Sequence, residues 1–107
     1  MNKYIITYLG GDKPSNPEEG KKHFAKYQQW LESLGESAIE PMVPFKNIHT
    51  ISPDGSECSG SSVAMTGHTI IQAKSIEEAI LMAKTCPFLE TNGTLEVAEL
   101  MQMPAKN

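Results

Sequence analysis

The sequence predicts an α+β fold of the ferredoxin-like kind, in which two helices cover one face of an antiparallel sheet in the order β-α-β-β-α-β. Three observations predict it. Strand-like stretches lie near both ends of the chain, at 3–9 and 94–103. Two helical stretches carry capping signals, and extended segments with turn signals lie between them. Because 107 residues is an ordinary domain size, we expect a single domain over 1–107.

The first strand is "KYIITYL", residues 3–9, since β-branched and aromatic residues fill it and two glycines follow it. A period of two puts alternate side chains on opposite faces. One face holds Tyr4, Ile6 and Tyr8, and the other holds Ile5, Thr7 and Leu9. Because both faces are largely apolar, we expect both to be covered.

The first helix is expected within residues 15–35. Asn16 is a natural N-cap, Pro17 suits the first helical position and Glu19 completes a capping-box pattern. Gly35 is the expected stop. At about 100° per residue, one arc collects a largely apolar stripe that contains a histidine. Its members are His23, Phe24, Tyr27, Trp30, Leu31 and Leu34.

Residues 36–67 give weaker signals. Prolines at 41, 44 and 53 argue against a long central strand, so "SAIEPMV" is expected to form a short strand interrupted at Pro41. "NIHTI" alternates like a second short strand, and "SPDGSE" is typical of a turn. The small polar residues of "SECSGSS" favour a surface loop.

A second strand-helix unit follows at 68–86. "HTIIQAK" is a strand, and Ser75 with Glu78 forms a capping box that opens the helix "IEEAILMAKTC". Pro87 ends this helix. Its expected buried stripe consists of Ile76, Ala79, Ile80 and Ala83. The last strand is predicted over 94–103, after the turn "TNG".

The sheet face without helices carries apolar residues in this arrangement. Depending on register, these are Ile5 or Ile6, Ile70 or Ile71, and Val97. An open apolar face of this kind marks an interface. We therefore expect a homodimer in which two sheets face each other, a dimeric α+β barrel.

Composition narrows the classes of partner. The net charge is −4, and all nine basic residues are lysines without a single arginine, so the basic patch of a nucleic-acid-binding protein is missing. An anionic ligand would have to be held by lysine, helix N-termini or backbone N–H groups. We predict no membrane span and no signal peptide. Cys58 and Cys86 are expected to be reduced thiols of a cytoplasmic protein.

Several segments taken together resemble the YCII-related (YciI-like, DGPF-type) family. They are "KYIITYLGG", "WLESLG", "EPMVPF", "SPDGS" and the long block "TGHTIIQAKSIEEAILMAKTCPFLETNGTLEVAELM". The resemblance covers nearly the whole chain and implies a dimeric ferredoxin-like fold. Some relatives resemble small-molecule dehydrochlorinases. Others resemble an acid–base enzyme with a histidine in the first turns of helix one, a position that His23 matches.

His23 and His68 are the candidate catalytic residues. His23 is either a hydrogen-bonded histidine at the core edge or a general acid or base in a pocket. His68 is either exposed at a strand mouth or, with Gln72 on the same face, part of a wet cavity. His49 is read as a surface residue of an edge strand.

The candidate ligand-binding residues are five. Apolar walls are expected from Tyr8, Trp30 and Phe45, and polar groups from Gln72 and Glu99. No metal-ligand spacing, phosphate loop or cofactor motif is present, so we expect neither metal nor cofactor.

Two functions from different classes follow. The first is a small-molecule-binding protein or a cofactor-free acid–base enzyme, whose cleft lies between the helices, the sheet and the partner subunit. The alternative is a non-catalytic dimeric interaction module, whose sheet face serves assembly.

Overall fold

The computed structural model describes residues 1–102 and contains two helices and two β-sheets. In chain order the elements are β1 (Asn2–Gly10), α1 (Pro17–Leu34), β2 (Ala38–Pro44), β3 (His49–Ile51), β4 (Glu57–Ser59), β5 (Met65–Ala73), α2 (Ile76–Ala83) and β6 (Gly93–Glu99). Short 3₁₀ turns at Gly35–Ser37 and Pro87–Thr91 follow the two helices.

The main sheet is antiparallel with the strand order β2-β5-β1-β6. With the small β3–β4 hairpin set aside, this is the order of a ferredoxin-like β-α-β-β-α-β sandwich. Both helices lie on one face, which confirms the predicted fold class. None of the helices within residues 1–102 is long and apolar enough to cross a membrane.

The core lies between the helices and the inner face of the sheet. Alternate residues of β1 and β5 point into it, and Tyr4, Ile6 and Ile71 have no exposed surface. Val97 pairs with Ile6 and therefore packs against the core. Of the residues expected on the open face, Ile5 and Ile70 lie there, and Val97 does not.

Helix α1 begins as predicted. The Asn16 side chain accepts a hydrogen bond from the Glu19 N–H at 2.8 Å, and Pro17 is the first helical residue. The Glu19 carboxylate reaches back to Ser15, so the capping box closes one residue earlier than expected. Phe24 is 60% exposed, so the buried stripe of α1 is narrower than the arc predicted from periodicity.

Helix α2 is shorter than predicted and ends at Ala83. Its cap has the same form as that of α1, because Glu78 N–H donates to Ser75 Oγ while the Glu78 carboxylate accepts from Lys74 N–H, one residue before the cap. Ala79 and Ala83 face the sheet, where small side chains let helix and sheet approach closely. Ile80 is 39% exposed and lies at the flank of the helix.

The middle of the chain is more regular than the sequence indicated. Strand β2 runs through Pro41. It is an edge strand, where the missing N–H of a proline is tolerated, and its pairing with β5 shifts register on both sides of Glu40. The expected surface loop at 56–62 contains β4, which pairs with β3 in an exposed hairpin. Strand β6 ends at Glu99, short of the predicted 94–103, and residue 103 lies outside the described residues.

Candidate functional site

A cavity of about 430 Å³ opens between α1, the ends of β1 and β5, and the connection after β2. Four aromatic rings and one imidazole set its character, and we call it the aromatic cavity. These side chains are Tyr8, His23, Tyr27, Phe45 and Phe88. Its size and mostly apolar lining suit one small organic molecule.

The inner wall is a stack of rings. Tyr8 lies 4.9 Å from Phe88 and 6.1 Å from Tyr27 between ring centroids, in both cases with nearly parallel planes. Phe88 is held between Gly11 and Gly93, where an added Cβ would come within 2.7 and 2.2 Å of its ring. The two glycines therefore leave the space that this wall occupies.

His23 lies at the outer edge of the stack. Helix α1 places it one turn before Tyr27, and the two rings meet edge to face with centroids 4.9 Å apart. The side chain is partly exposed and lines the aromatic cavity. An imidazole in this position can contact both a bound molecule and solvent, as an acid–base group must.

Behind the cavity lies a small group of buried polar side chains. The Tyr8 hydroxyl is hydrogen-bonded to Thr69, whereas the Tyr27 hydroxyl has no partner among residues 1–102. Burial raises the pKa of Tyr8 and of Tyr27 well above the usual tyrosine range. Burial also raises the pKa of the Cys86 thiol to about 11. These groups are neutral near pH 7, and none is a ready nucleophile.

A polar recess of about 330 Å³ adjoins the aromatic cavity, and five residues line both: Asp12, Lys13, Pro14, His23 and Thr91. Its other charged residues are Glu19, Lys22, Lys26 and Glu90. We call the recess the lysine mouth. It forms because α1 and the Gly10–Gly11 turn bring lysines from two segments to one edge of the cavity.

His68 lies on the opposite face of the sheet from His23. Its Nε2–H donates to Glu40 Oε1 at 2.6 Å, and the Phe45 ring is 5.4 Å away between centroids. Its Nδ1 is buried with no partner in the part of the chain that the structure describes. A carboxylate on one imidazole nitrogen fixes the tautomer and leaves the other nitrogen as a hydrogen-bond acceptor.

The remaining candidates lie away from the aromatic cavity. Trp30 is buried and donates its indole N–H to Met82 O and Thr85 Oγ1, joining α1 to the end of α2. The Gln72 side chain donates to the Glu36 carbonyl on the open face. Glu99 lies near the N-terminus, in a separate recess with Asn2 and Lys3.

The structure thus brings together Tyr8, His23 and Phe45, and separates them from Trp30, Gln72 and Glu99. The two histidines do not share a cleft within one chain. His23 is on α1, which covers the inner face of the sheet, whereas the alternation of side chains along β5 places His68 on the outer face. Sequence reasoning missed Phe88, Glu40 and the lysine mouth. Gly11 and Gly93 could have indicated the position of Phe88, because a glycine often marks a place where another group packs closely against the backbone.

Within residues 1–102, no three His, Cys, Asp or Glu side chains are grouped closely enough to hold a metal ion. The side chains that line the aromatic cavity can pack against a ligand, form hydrogen bonds and, at His23, transfer a proton.

Fold and cavity together define a ferredoxin-like α+β protein with a recess of small-molecule size. Among solved structures, the chain is similar to the 5-chloro-2-hydroxyhydroquinone dehydrochlorinase from Burkholderia phenoliruptrix AC1100, in complex with 2,5-dihydroxybenzoquinone. The TM-score is 0.57 at 17% sequence identity, over 94% of this chain and 95% of the other. No family profile and no curated protein sequence matches the chain. The shared feature is the fold.

Proposed function

We propose that this protein binds a small planar molecule in the aromatic cavity and exchanges a proton with it through His23, without a cofactor. The observation that carries the proposal is the aromatic cavity itself, a recess walled by stacked rings with an imidazole at its edge. Stacked aromatic side chains favour flat ligands. The neutral imidazole would accept a proton from the bound molecule and return it as imidazolium.

The structural neighbour adds support of a limited kind. Its solved complex contains 2,5-dihydroxybenzoquinone, a flat six-membered ring, which supports a planar ligand for this chain. On the sequence resemblance, we assign the chain to the YCII-related family and to the cytoplasm as proposals. Both cysteines are free thiols, as a reducing compartment requires.

His68 is proposed as a second acid–base group, with Glu40 orienting its ring. In a homodimer formed through the open sheet face, this pair would lie at the subunit interface. The open face holds an apolar row in which Ile5 pairs with Ile70 on one side and Ala98 on the other. That row favours the second candidate function, a dimeric interaction module whose sheet serves assembly.

The test is a titration of histidine-labelled protein with hydroquinone and with 2,5-dihydroxybenzoquinone, followed by NMR. We expect the His23 ring signals to shift on binding and those of His49, whose side chain is exposed, paired with Glu57 and absent from the cavity lining, to stay in place. A His23→Asn variant should bind with unchanged fold but lose proton exchange. If neither compound shifts His23, the binding proposal is wrong and the interaction module becomes the better reading.

A further inference from the structure

We propose that the ligand of the aromatic cavity carries an anionic oxygen, a ring-bound carboxylate or phenolate, and that the lysine mouth holds this oxygen. The inference rests on the proposed function and adds the chemical class of the ligand. Two recesses of unlike chemistry share a boundary at Lys13 and His23, one aromatic and one charged. A molecule with a flat ring and one charged end would fill both.

Several charged groups of the lysine mouth already have partners within the chain. Lys26 pairs with Glu90 at 3.3 Å, and both side chains are more than half exposed. The other two carboxylates accept hydrogen bonds from neutral donors, and the pKa of Glu19 is lowered by its hydrogen bonds from Ser15 and, to a smaller extent, by the charge of Lys22. Asp12 accepts from the Asn92 amide at 2.7 Å, and Glu19 accepts from the Ser15 hydroxyl at 2.6 Å.

Lys13 and Lys22 are left with donors to offer. Within residues 1–102, neither ammonium has a carboxylate oxygen within 4.0 Å. Three lysines and three carboxylates line the mouth, so its formal charge is zero while His23 is neutral. Both side chains are exposed, so water satisfies their N–H donors in the free protein. An anionic oxygen would replace that water with a charge-assisted hydrogen bond, and selectivity would come from this exchange rather than from net charge.

The chain's composition agrees with this assignment. Without arginine, lysine is the only permanently charged donor for an anion, and three of the nine lysines line one recess. The protein as a whole is acidic, with a net charge of −4. A general attraction of anions to the surface would therefore not produce binding at this place.

The experiment compares benzoate with benzamide, which share shape and differ in charge, by calorimetry and by the NMR shift of His23. We expect benzoate to bind about tenfold more tightly at low salt, since a charge-assisted hydrogen bond is roughly twice as strong as a neutral one. Lys22→Gln should remove most of this preference. Lys21→Gln, one residue earlier on α1 and outside the mouth, removes the same charge and should leave the preference unchanged.

The outcomes separate the two proposals. Equal binding of benzoate and benzamide would overturn the anionic-oxygen inference and leave the cavity as a binding site. Equal losses in Lys22→Gln and Lys21→Gln would also overturn it, because the effect would then be general electrostatics. If neither compound nor a quinone binds, the binding function fails and this inference fails with it.

Discussion

At the scale of single residues, the most informative contrast lies between two tyrosines of the same ring stack. Tyr8 and Tyr27 are both buried and both face the aromatic cavity. The hydroxyl of Tyr8 is hydrogen-bonded to Thr69, whereas that of Tyr27 has no partner among the described residues. A buried polar group costs free energy unless it is hydrogen-bonded, so the same substitution should have opposite effects at the two positions.

We expect Tyr8→Phe to lower the free energy of unfolding by about 1–3 kcal/mol, because it leaves the Thr69 hydroxyl buried and unpaired. Tyr27→Phe should be neutral or raise it by up to about 1 kcal/mol, because it removes an unpaired hydroxyl. Urea unfolding followed by circular dichroism measures both. A larger loss in Tyr27→Phe than in Tyr8→Phe would show that the Tyr27 hydroxyl has a partner, such as ordered water.

The same residues predict how stability depends on pH. Burial raises the pKa of Tyr8, Tyr27 and Cys86 in the folded state above the ordinary values of 10.0 for tyrosine and 9.0 for cysteine, and that of Cys86 to about 11. A raised pKa of an acid means that the fold favours the neutral form. This contribution is complete below about pH 8 and is lost as the pH rises through the unfolded-state values toward the folded ones.

The free energy of unfolding should therefore fall between pH 9 and pH 11. Each group can contribute a slope of at most about 1.4 kcal/mol per pH unit. Tyr27→Phe removes one of the titrating groups, so its curve should be flatter than that of the wild type. A wild-type stability that stays constant from pH 8 to pH 11 would contradict the prediction.

At the scale of elements, local signals were predictable and long-range ones were not. Asn16 and Ser75 begin their helices as expected, because a cap depends on residues three positions apart. Strand β2 was expected to break at Pro41. It continues because it pairs with β5, and this pairing cannot be recognised from the residues of β2 alone. The His68–Glu40 pair was missed for the same reason, since 28 residues separate its members in sequence.

Replacing glycine by alanine should change the stability of the protein in opposite directions at two positions, Gly20 and Gly93. In α1, a Cβ at Gly20 would meet Pro14 at 3.6 Å, an ordinary contact, so Gly20→Ala should stabilise the protein by about 0.5–1 kcal/mol. At the start of β6, a Cβ at Gly93 would lie 2.2 Å from the Phe88 ring, so Gly93→Ala should destabilise it by about 1–3 kcal/mol.

Thermal unfolding of the two glycine variants tests this pair, with the double variant as a check on additivity. Gly93→Ala should also weaken ligand binding in the aromatic cavity, because Phe88 must move. Unchanged stability in Gly93→Ala would mean that Phe88 has free space beside it, which would contradict the close packing of its ring against Gly93.

At the scale of the whole molecule, the two faces of the main sheet differ in how far they are covered. The inner face is covered by both helices. The outer face, with Ile5, Ile70 and Leu9, remains partly exposed. This is the surface through which we propose that two copies associate. The expected interface is an apolar row bordered by the His68–Glu40 pair.

We expect wild-type protein to sediment as a dimer at micromolar concentration and Ile70→Lys to sediment as a monomer. A lysine at position 70 would be desolvated within the apolar row, and the one carboxylate beside it, that of Glu40, is already bonded to His68, so its burial is costly. The control is Leu81→Lys, because Leu81 is 63% exposed on α2, away from this sheet face. A monomeric wild type, or a dimer that survives Ile70→Lys, would count against the proposed interface.

The strict alternation of β5 has a consequence for how this protein can change over generations. The side of β5 that faces the core contains Gly67, Thr69 and Ile71, and the side on the open face contains His68 and Ile70. Loss or gain of a single residue within β5 would exchange these two sets and damage both surfaces at once. Length variation among descendants should instead be tolerated at places such as the tip of the β3–β4 hairpin, around 52–56, where every residue is exposed.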